Sequence, residues 1–199
     1  MLKAAIFDWG GVLMRTVDAS GRRKWEQKLG LPQYAVDRVV HGSRSWKQAQ
    51  SGEITDAEYW ADVAQQLGLD DESLALFRRE YFAGDRLDDE MLSFIRGLRP
   101  RFKTALLSNA SPHLVHLLEQ LAVTDAFDEI VISGTVGVQK PDPGIYRIVL
   151  DRLRLAPEET IFVDDFVQNI QAAERLGMHT LHFRKDMDWR AELSQKLDH

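Results

Sequence analysis

Lys3-Ala-Ala-Ile-Phe-Asp8-Trp9-Gly10-Gly11-Val12-Leu13 opens the chain with an apolar run that ends on one carboxylate followed by two glycines. A strand buried on both faces reads as a continuous apolar run rather than an alternating one. An acid at its carboxyl end stands where open α/β sheets place their ligand sites. The two glycines allow the backbone a close approach to whatever the acid holds.

Working outward, five segments suit strands: 3–7, 103–107, 129–133, 160–163 and 178–183. Helical patterns fall between them at about 88–98, 112–121, 143–153 and 167–176. Pro143 fits a first helical turn and Gly177 the left-handed position after a last one. Such alternation predicts an α/β fold, a Rossmann-like parallel sheet with helices on both faces. Residues 15–84 break the alternation with short helices punctuated by Gly30, Pro32, Gly42, Gly52 and Gly68. Thr55-Asp-Ala-Glu58 has the form of a capping box. After it, Trp60, Val63, Ala64 and Leu67 recur at helical spacing, the pattern of packing within a small bundle. The expected organisation is a core of residues 1–14 and 85–199 with a helical insert at 15–84.

Composition limits the function classes. The 199 residues, 44% of them apolar, suffice for a core plus a small insert. A formal charge of −6 argues against nucleic acid and anionic membranes, which favour concentrated Lys and Arg. The run Arg22-Arg23-Lys24 is short and reads as a solvated helix face. With no cysteine there are no disulfides and no thiolate chemistry. Ala4–Phe7 is too short a run for a secretory signal and no stretch reaches membrane-spanning length, so a cytoplasmic protein is expected.

Three more signals follow strands or their loops. These are Leu106-Leu107-Ser108-Asn109, Val138-Gln139-Lys140-Pro141-Asp142-Pro143, and Ile161-Phe162-Val163-Asp164-Asp165. A strand-end Asp alone often caps a helix, Ser-Asn alone is turn chemistry, and a lone loop Lys is usually solvated. Together they supply what phosphoryl transfer needs: a nucleophile in Asp8, donors in Ser108 and Asn109, and a point charge in Lys140. Adjacent acids at a strand end repel unless a cation compensates, and carboxylate oxygens suit Mg²⁺.

In these four motifs and their order the chain resembles the haloacid dehalogenase superfamily of phosphohydrolases, over nearly its whole length. The resemblance implies that Asp8 attacks phosphorus, with Asp8 and Lys140 as the catalytic pair. It assigns Gly11, Ser108, Asn109 and Lys140 to the phosphoryl group. It gives magnesium to Asp8, the Gly10 carbonyl, Asp164 and Asp165, with Asn169 orienting the acids. The insert resembles the helical cap of this superfamily, which closes over the site. The substrate class implied is a small phosphorylated metabolite.

Most phosphatases of the superfamily carry a second aspartate two residues after the nucleophile, where this chain has Gly10. Acid–base help of that kind contributes about 10²–10⁴-fold, or about 3–5 kcal/mol. Without it, leaving groups that need little protonation, such as acyl phosphates or sugar 1-phosphates, are favoured. Asp18, His41 and Glu53 are the insert's candidates for a replacement acid, and Arg15, Arg44 and Lys47 for substrate contacts. Two other readings stand beside the phosphatase. One is a non-catalytic or very slow phospholigand binder. The other is a dehalogenase, which also lacks the second acid but does not carry paired acids after the fourth strand. His113 and His116 share a predicted helix without a third metal ligand, Trp9 is placed to pack beneath the cap, and Trp189 and Leu193 suit the buried side of a terminal helix.

Overall fold

The computed structural model describes residues 1–198. The chain begins with β1 (Ala4–Phe7) and a short β2 (Met14–Thr16). Five helices follow: α1 (Ser20–Leu29), α2 (Ala35–Gly42), α3 (Arg44–Gln50), α4 (Asp56–Leu67) and α5 (Asp71–Tyr81). After β3 (Asp85–Leu87) come α6 (Asp89–Leu98), β4 (Lys103–Ser108), α7 (Leu114–Gln120), β5 (Glu129–Ile132) and the one-turn α8 (Ser133–Val136). The chain closes with α9 (Pro143–Leu153), β6 (Thr160–Asp164), α10 (Val167–Arg175), β7 (His179–His182) and α11 (Trp189–Leu197).

Five strands pair in the order β5-β4-β1-β6-β7, every neighbouring pair parallel. The order reverses at β1, which has β4 on one side and β6 on the other. The carboxyl ends of these three strands therefore border the crevice where doubly wound sheets bind ligands. Side-chain alternation divides the core between the two faces of the sheet. Ala5 and Phe7 of β1 belong to a cluster with Met91, Ile95, Leu118 and Leu193, from α6, α7 and α11. Ala4 and Ile6 point the other way, into a cluster with Ile145, Val149, Ile170 and Ala173, from α9 and α10.

The expected strands and helices are present, with local differences. β5 stops one residue early because the Ser133 hydroxyl turns to Ala110, accepting its amide at 3.0 Å, and Ser133 opens α8. α7 begins at Leu114, two residues later than the pattern suggested, after a turn with no side-chain cap. The ribbon of β2 and β3, antiparallel from Met14↔Leu87 to Thr16↔Asp85, was not foreseen. Three residues per strand are too few to show a period. Trp9 lies in the sheet core cluster, 6% exposed, rather than beneath the helical insert, because its side chain falls on the same side as Val12 and Leu13.

Helices α1–α5 pack around a cluster of their own that includes Trp25, Val40, Tyr59, Val63, Phe77 and Tyr81. Trp25 meets Phe77 edge-on at 5.3 Å between centroids. The capping box at α4 is complete, Glu58 N–H donating to Thr55 Oγ1 and Thr55 N–H to Glu58 Oε2. Arg22 ties this cluster to the ribbon. Its guanidinium bonds Asp37 at 2.8 Å, Thr16 at 2.7 Å and Asp85 at 2.9 Å, and lies 4.2 Å over the Tyr81 ring.

Phe162 of β6 is fully buried, edge-on to Tyr146 at 5.5 Å. Truncating an aromatic ring in such a core removes both transfer energy and packing. Phe162→Ala is expected to cost about 3–5 kcal/mol in urea unfolding, with an unchanged m-value.

Candidate active site

Three strand ends and one loop bring four charged groups together in the interior. Asp8 follows β1, Asp164 ends β6, Asp165 comes next, and Lys140 lies in the loop before α9. Asp8, Asp164 and Lys140 are all under a tenth exposed. The Lys140 ammonium directs its three donors to Asp8 Oδ1 at 2.9 Å, Asp164 Oδ2 at 2.7 Å and the Leu107 carbonyl at 2.8 Å. Burial works against this charge, yet Asp8 and Asp164 outweigh it and raise the pKa of Lys140 above its ordinary value.

Asp8 Oδ1 also accepts the Trp9 amide at 2.6 Å. Its Oδ2 takes no hydrogen bond from a described residue, which leaves that oxygen available to a ligand. Burial pushes the Asp8 carboxyl up to about 7 against the pull of Lys140, with Asp164 and Asp165 adding to the rise. Burial and Asp164 push Asp165 up to about 6. Asp164 is held from behind: the Phe166 amide donates to Oδ1 at 2.7 Å, and Asn169 Nδ2 lies 3.1 Å from both oxygens.

Oxygens of Asp8, Asp164 and Asp165 lie within 4.8 Å of one another. Three carboxylates against one ammonium leave an excess of two negative charges in a buried space. Asp165 Oδ1 is buried and has no hydrogen-bond partner. Hard oxygen donors, an orphaned buried oxygen and a deficit of two positive charges fit a divalent cation such as Mg²⁺.

The glycines have separate tasks. A Cβ at Gly11 would stand 2.2 Å from Asp165 Oδ2, and φ here is +80°, so Gly11 makes room for the acid. Its amide donates to the Met14 carbonyl at 2.9 Å, so it is engaged within the protein rather than turned to a substrate. Gly10 is different: a Cβ there meets nothing within 4 Å. The Trp9 carbonyl accepts the amides of Leu13 and Met14, while no described backbone amide donates to the Gly10 carbonyl.

Ser108 closes β4 and is 3% exposed. Asn109 clamps the lysine loop, donating Nδ2 to the Lys140 carbonyl at 2.8 Å and accepting the Lys140 amide on Oδ1 at 2.7 Å. Other candidates are placed elsewhere. Arg15 pairs with Asp88 and lies over the Phe183 ring. Asp18 binds the amide and hydroxyl of Ser20, which hold its carboxyl below the usual range. Glu53 accepts from Ser51 and from Gln48 of the preceding helix α3. His41 stacks against Trp46 and Tyr81 in the helical insert. Arg44 and Lys47 are exposed, with no ion-pair partner among the described residues. His113 and His116 have rings 6.1 Å apart, and His116 faces Glu119, with no third metal ligand among the described residues. Trp189 packs on Phe94 and Leu193 is fully buried, as expected.

Sequence reasoning missed Gln50, whose Nε2 donates to the Asn109 carbonyl at 2.9 Å from 59 residues earlier in the chain. It also missed Ser111, which donates to Asp56 Oδ1 at 3.2 Å. Neither belongs to a motif; only the position of Gln50 just before Gly52 hinted at a chain reversal at that point.

A parallel five-stranded sheet with an aspartate at the end of its first strand and a lysine-bridged acid cluster defines a class, the haloacid dehalogenase-like hydrolases. A family model of that description matches residues 2–177, and the chain belongs to this family. It is 31% identical over 195 residues, 97% of this chain and 95% of the other, to a sesquiterpene phosphatase of Aspergillus oryzae. It is 28% identical to a D-ribitol-5-phosphate phosphatase of Bacteroides thetaiotaomicron, with 98% of each chain covered. Among solved structures, a family enzyme from the same bacterium, in complex with magnesium and inorganic phosphate, superposes with a TM-score of 0.80. That pair is 23% identical and covers 96% of this chain and 99% of the other. No described helix is long and apolar enough to cross a membrane.

Removing one partner of a buried ion cluster leaves the others uncompensated. Lys140→Met is therefore expected to destabilise the protein by about 3–5 kcal/mol at neutral pH in urea unfolding.

Proposed function

We propose that this hydrolase is a magnesium-dependent phosphatase of small phosphorylated metabolites that works through an aspartyl-phosphate on Asp8. The observation that supports it best is the buried cluster itself: Asp8 presents a free Oδ2 beside two further acids and a lysine, with an unmet excess of negative charge. The two phosphatases related over nearly the full chain agree with it.

In this reading Asp8 Oδ2 attacks phosphorus and the bond to the leaving oxygen breaks. Lys140 favours the ionised form of Asp8 and aims it, and with Ser108 and Asn109 offers donors to the phosphoryl oxygens. Water then hydrolyses the acyl phosphate and restores Asp8. Asp8, the Gly10 carbonyl and Asp164, with Asp165 beside them, would hold the cation, which would supply charge neutralisation at the phosphoryl group when bound. Residues 15–84 act as a cap over the core of residues 1–14 and 85–199, excluding water and selecting the substrate. A cysteine-free, net-acidic chain suits a cytoplasmic setting.

Gly10 lacks the carboxylate that protonates a leaving group. Acyl phosphates and sugar 1-phosphates, whose leaving groups need little help, are the favoured substrates. The paired acids beside Lys140 weigh against carbon–halogen hydrolysis, for which a buried divalent site has no use. Gly10 does favour one second reading, a phospholigand binder with little or no turnover.

Phosphate release from sugar phosphates, nucleotides and acyl phosphates, with Mg²⁺ or EDTA, tests the proposal. Turnover is expected with Mg²⁺ alone and is expected to fall at least 10³-fold in Asp8→Asn, as for loss of a nucleophile that acts as part of a unit. Phosphate binding without turnover would favour the binder instead. A side chain at Gly10 meets open space, so Gly10→Asp is expected to fold normally. It should raise turnover of alkyl phosphates by about 10-fold or more, within the range of acid–base help. The comparison is kcat for an alkyl against an acyl phosphate in both proteins.

A further inference from the structure

We propose that Gln50, in the helical insert, is a positioning residue for the catalytic lysine, making the alignment of Lys140 conditional on cap closure. The inference rests on the phosphatase reading and adds to it the link between the two halves of the chain. Gln50 ends α3, and its Nε2 donates to the Asn109 carbonyl at 2.9 Å. Asn109 in turn holds the backbone of Lys140 on both sides, through its Nδ2 at 2.8 Å and its Oδ1 at 2.7 Å. The ammonium of the same lysine reaches Asp8 and Asp164 at 2.9 and 2.7 Å. Three consecutive contacts thus lead from the cap to the nucleophile, Gln50 to Asn109, Asn109 to Lys140 and Lys140 to Asp8.

The surrounding seam shows why this contact depends on closure. A Cβ at Gly52 would stand 2.5 Å from the Gly134 carbonyl oxygen, and one at Gly134 would stand 3.0 Å from the Ala49 carbonyl oxygen. Backbone therefore lies directly on backbone, without side chains to bridge a gap. Ser111 adds a hydrogen bond to Asp56 at the start of α4. A cap that swings away breaks the Gln50 bond at once, because a hydrogen bond weakens steeply beyond about 3.2 Å. Asn109 then keeps both side-chain bonds to Lys140 but loses the donor that fixes its own backbone, so the pair is held less firmly in place. Coupling of this kind commits the site when the substrate is enclosed.

The experiment uses the full chain with Gln50→Glu, which keeps the shape and loses the donor, and Gln50→Met, which keeps the bulk and loses all polarity. Three readouts are taken: amide exchange of Lys140 by NMR with α11 amides as reference, Tm, and kcat/KM on the best substrate of the panel. In both variants the Lys140 amide is expected to exchange about 3- to 10-fold faster, the effect one neutral hydrogen bond supports. A fall of similar size is expected in kcat/KM, with Tm within about 2 °C of wild type. A residue that only packed the cap would not move an amide in the core. Unchanged Lys140 exchange in both variants overturns the inference, whatever the activity does, since Gln50 then acts on substrate directly or not at all. Faster exchange with unchanged kcat/KM overturns it as well. If the wild-type protein turns over nothing on the panel, the phosphatase reading fails by itself, and Lys140 exchange still decides whether the cap is coupled to the lysine.

Discussion

The Lys140 ammonium lies in the protein interior with each of its three donors taken, by two carboxylates and one backbone carbonyl. Desolvating such a cluster costs several kcal/mol per ion, and only full hydrogen bonding in good geometry offsets that. The requirement reaches outward into the fold. β1 must deliver Asp8, β6 must deliver Asp164, and β4 must present the Leu107 carbonyl, so these three strands have to be neighbours. The loop before α9 must then carry the lysine under the sheet edge, where Asn109 fixes its backbone. Stability and site are one arrangement here, and the arrangement is left incomplete: Asp165 Oδ1 has no partner and the acids outnumber the cation. Incomplete neutralisation in a largely buried place is where a folded protein keeps capacity for a ligand.

The remainder of the chain divides between the sheet with its flanking helices and the helical insert, each with its own buried clusters. The sheet is packed on both faces, with core residues of β1 fully buried whichever way they point. The insert has its own aromatic core and is flanked by the two-stranded ribbon, with Arg22 bonded to both ribbon strands. The insert also meets the core where Gly52 and Gly134 bring backbone close to backbone. Gln50 crosses that boundary.

Gly10 puts the chemistry under a particular constraint. There is room for a side chain at this position, so packing does not exclude a carboxylate there. Under the proposed mechanism Asp8, Lys140 and the paired acids stand together, whereas Gly10 offers no group to deliver a proton to a departing oxygen. Of the insert's candidate acids, Asp18 is bonded to Ser20 and Glu53 to Ser51, so in this conformation both carboxylates are engaged within the protein.

The local signals were legible because they depend on local physics. An apolar run ending in Asp8 is a buried strand however the rest of the chain folds, and the same holds for Ser108 after β4 and the acids after β6. Pro143 and Gly177 marked helix ends because φ restricts them at the level of one residue. The ribbon of β2 and β3 was not legible, since three half-exposed residues carry no period. Trp9 was misplaced because its direction depends on a turn held by Met14 and Leu13 amides on the Trp9 carbonyl. Gly11 was read as serving the substrate, and only the position of Asp165 revealed that the glycine clears space for an acid 154 residues away. By itself the sequence determined the strand order of events along the chain, the acids, the lysine and the absence of a second aspartate at Gly10. Which oxygen of Asp8 stays free, where the negative charge exceeds the positive, and that Gln50 touches Asn109 were decided by tertiary structure. The physical reason is distance: hydrogen bonds and charge pairs act over a few ångströms in space, and no spacing along the chain encodes contacts between residues brought together by the packing of two separate cores.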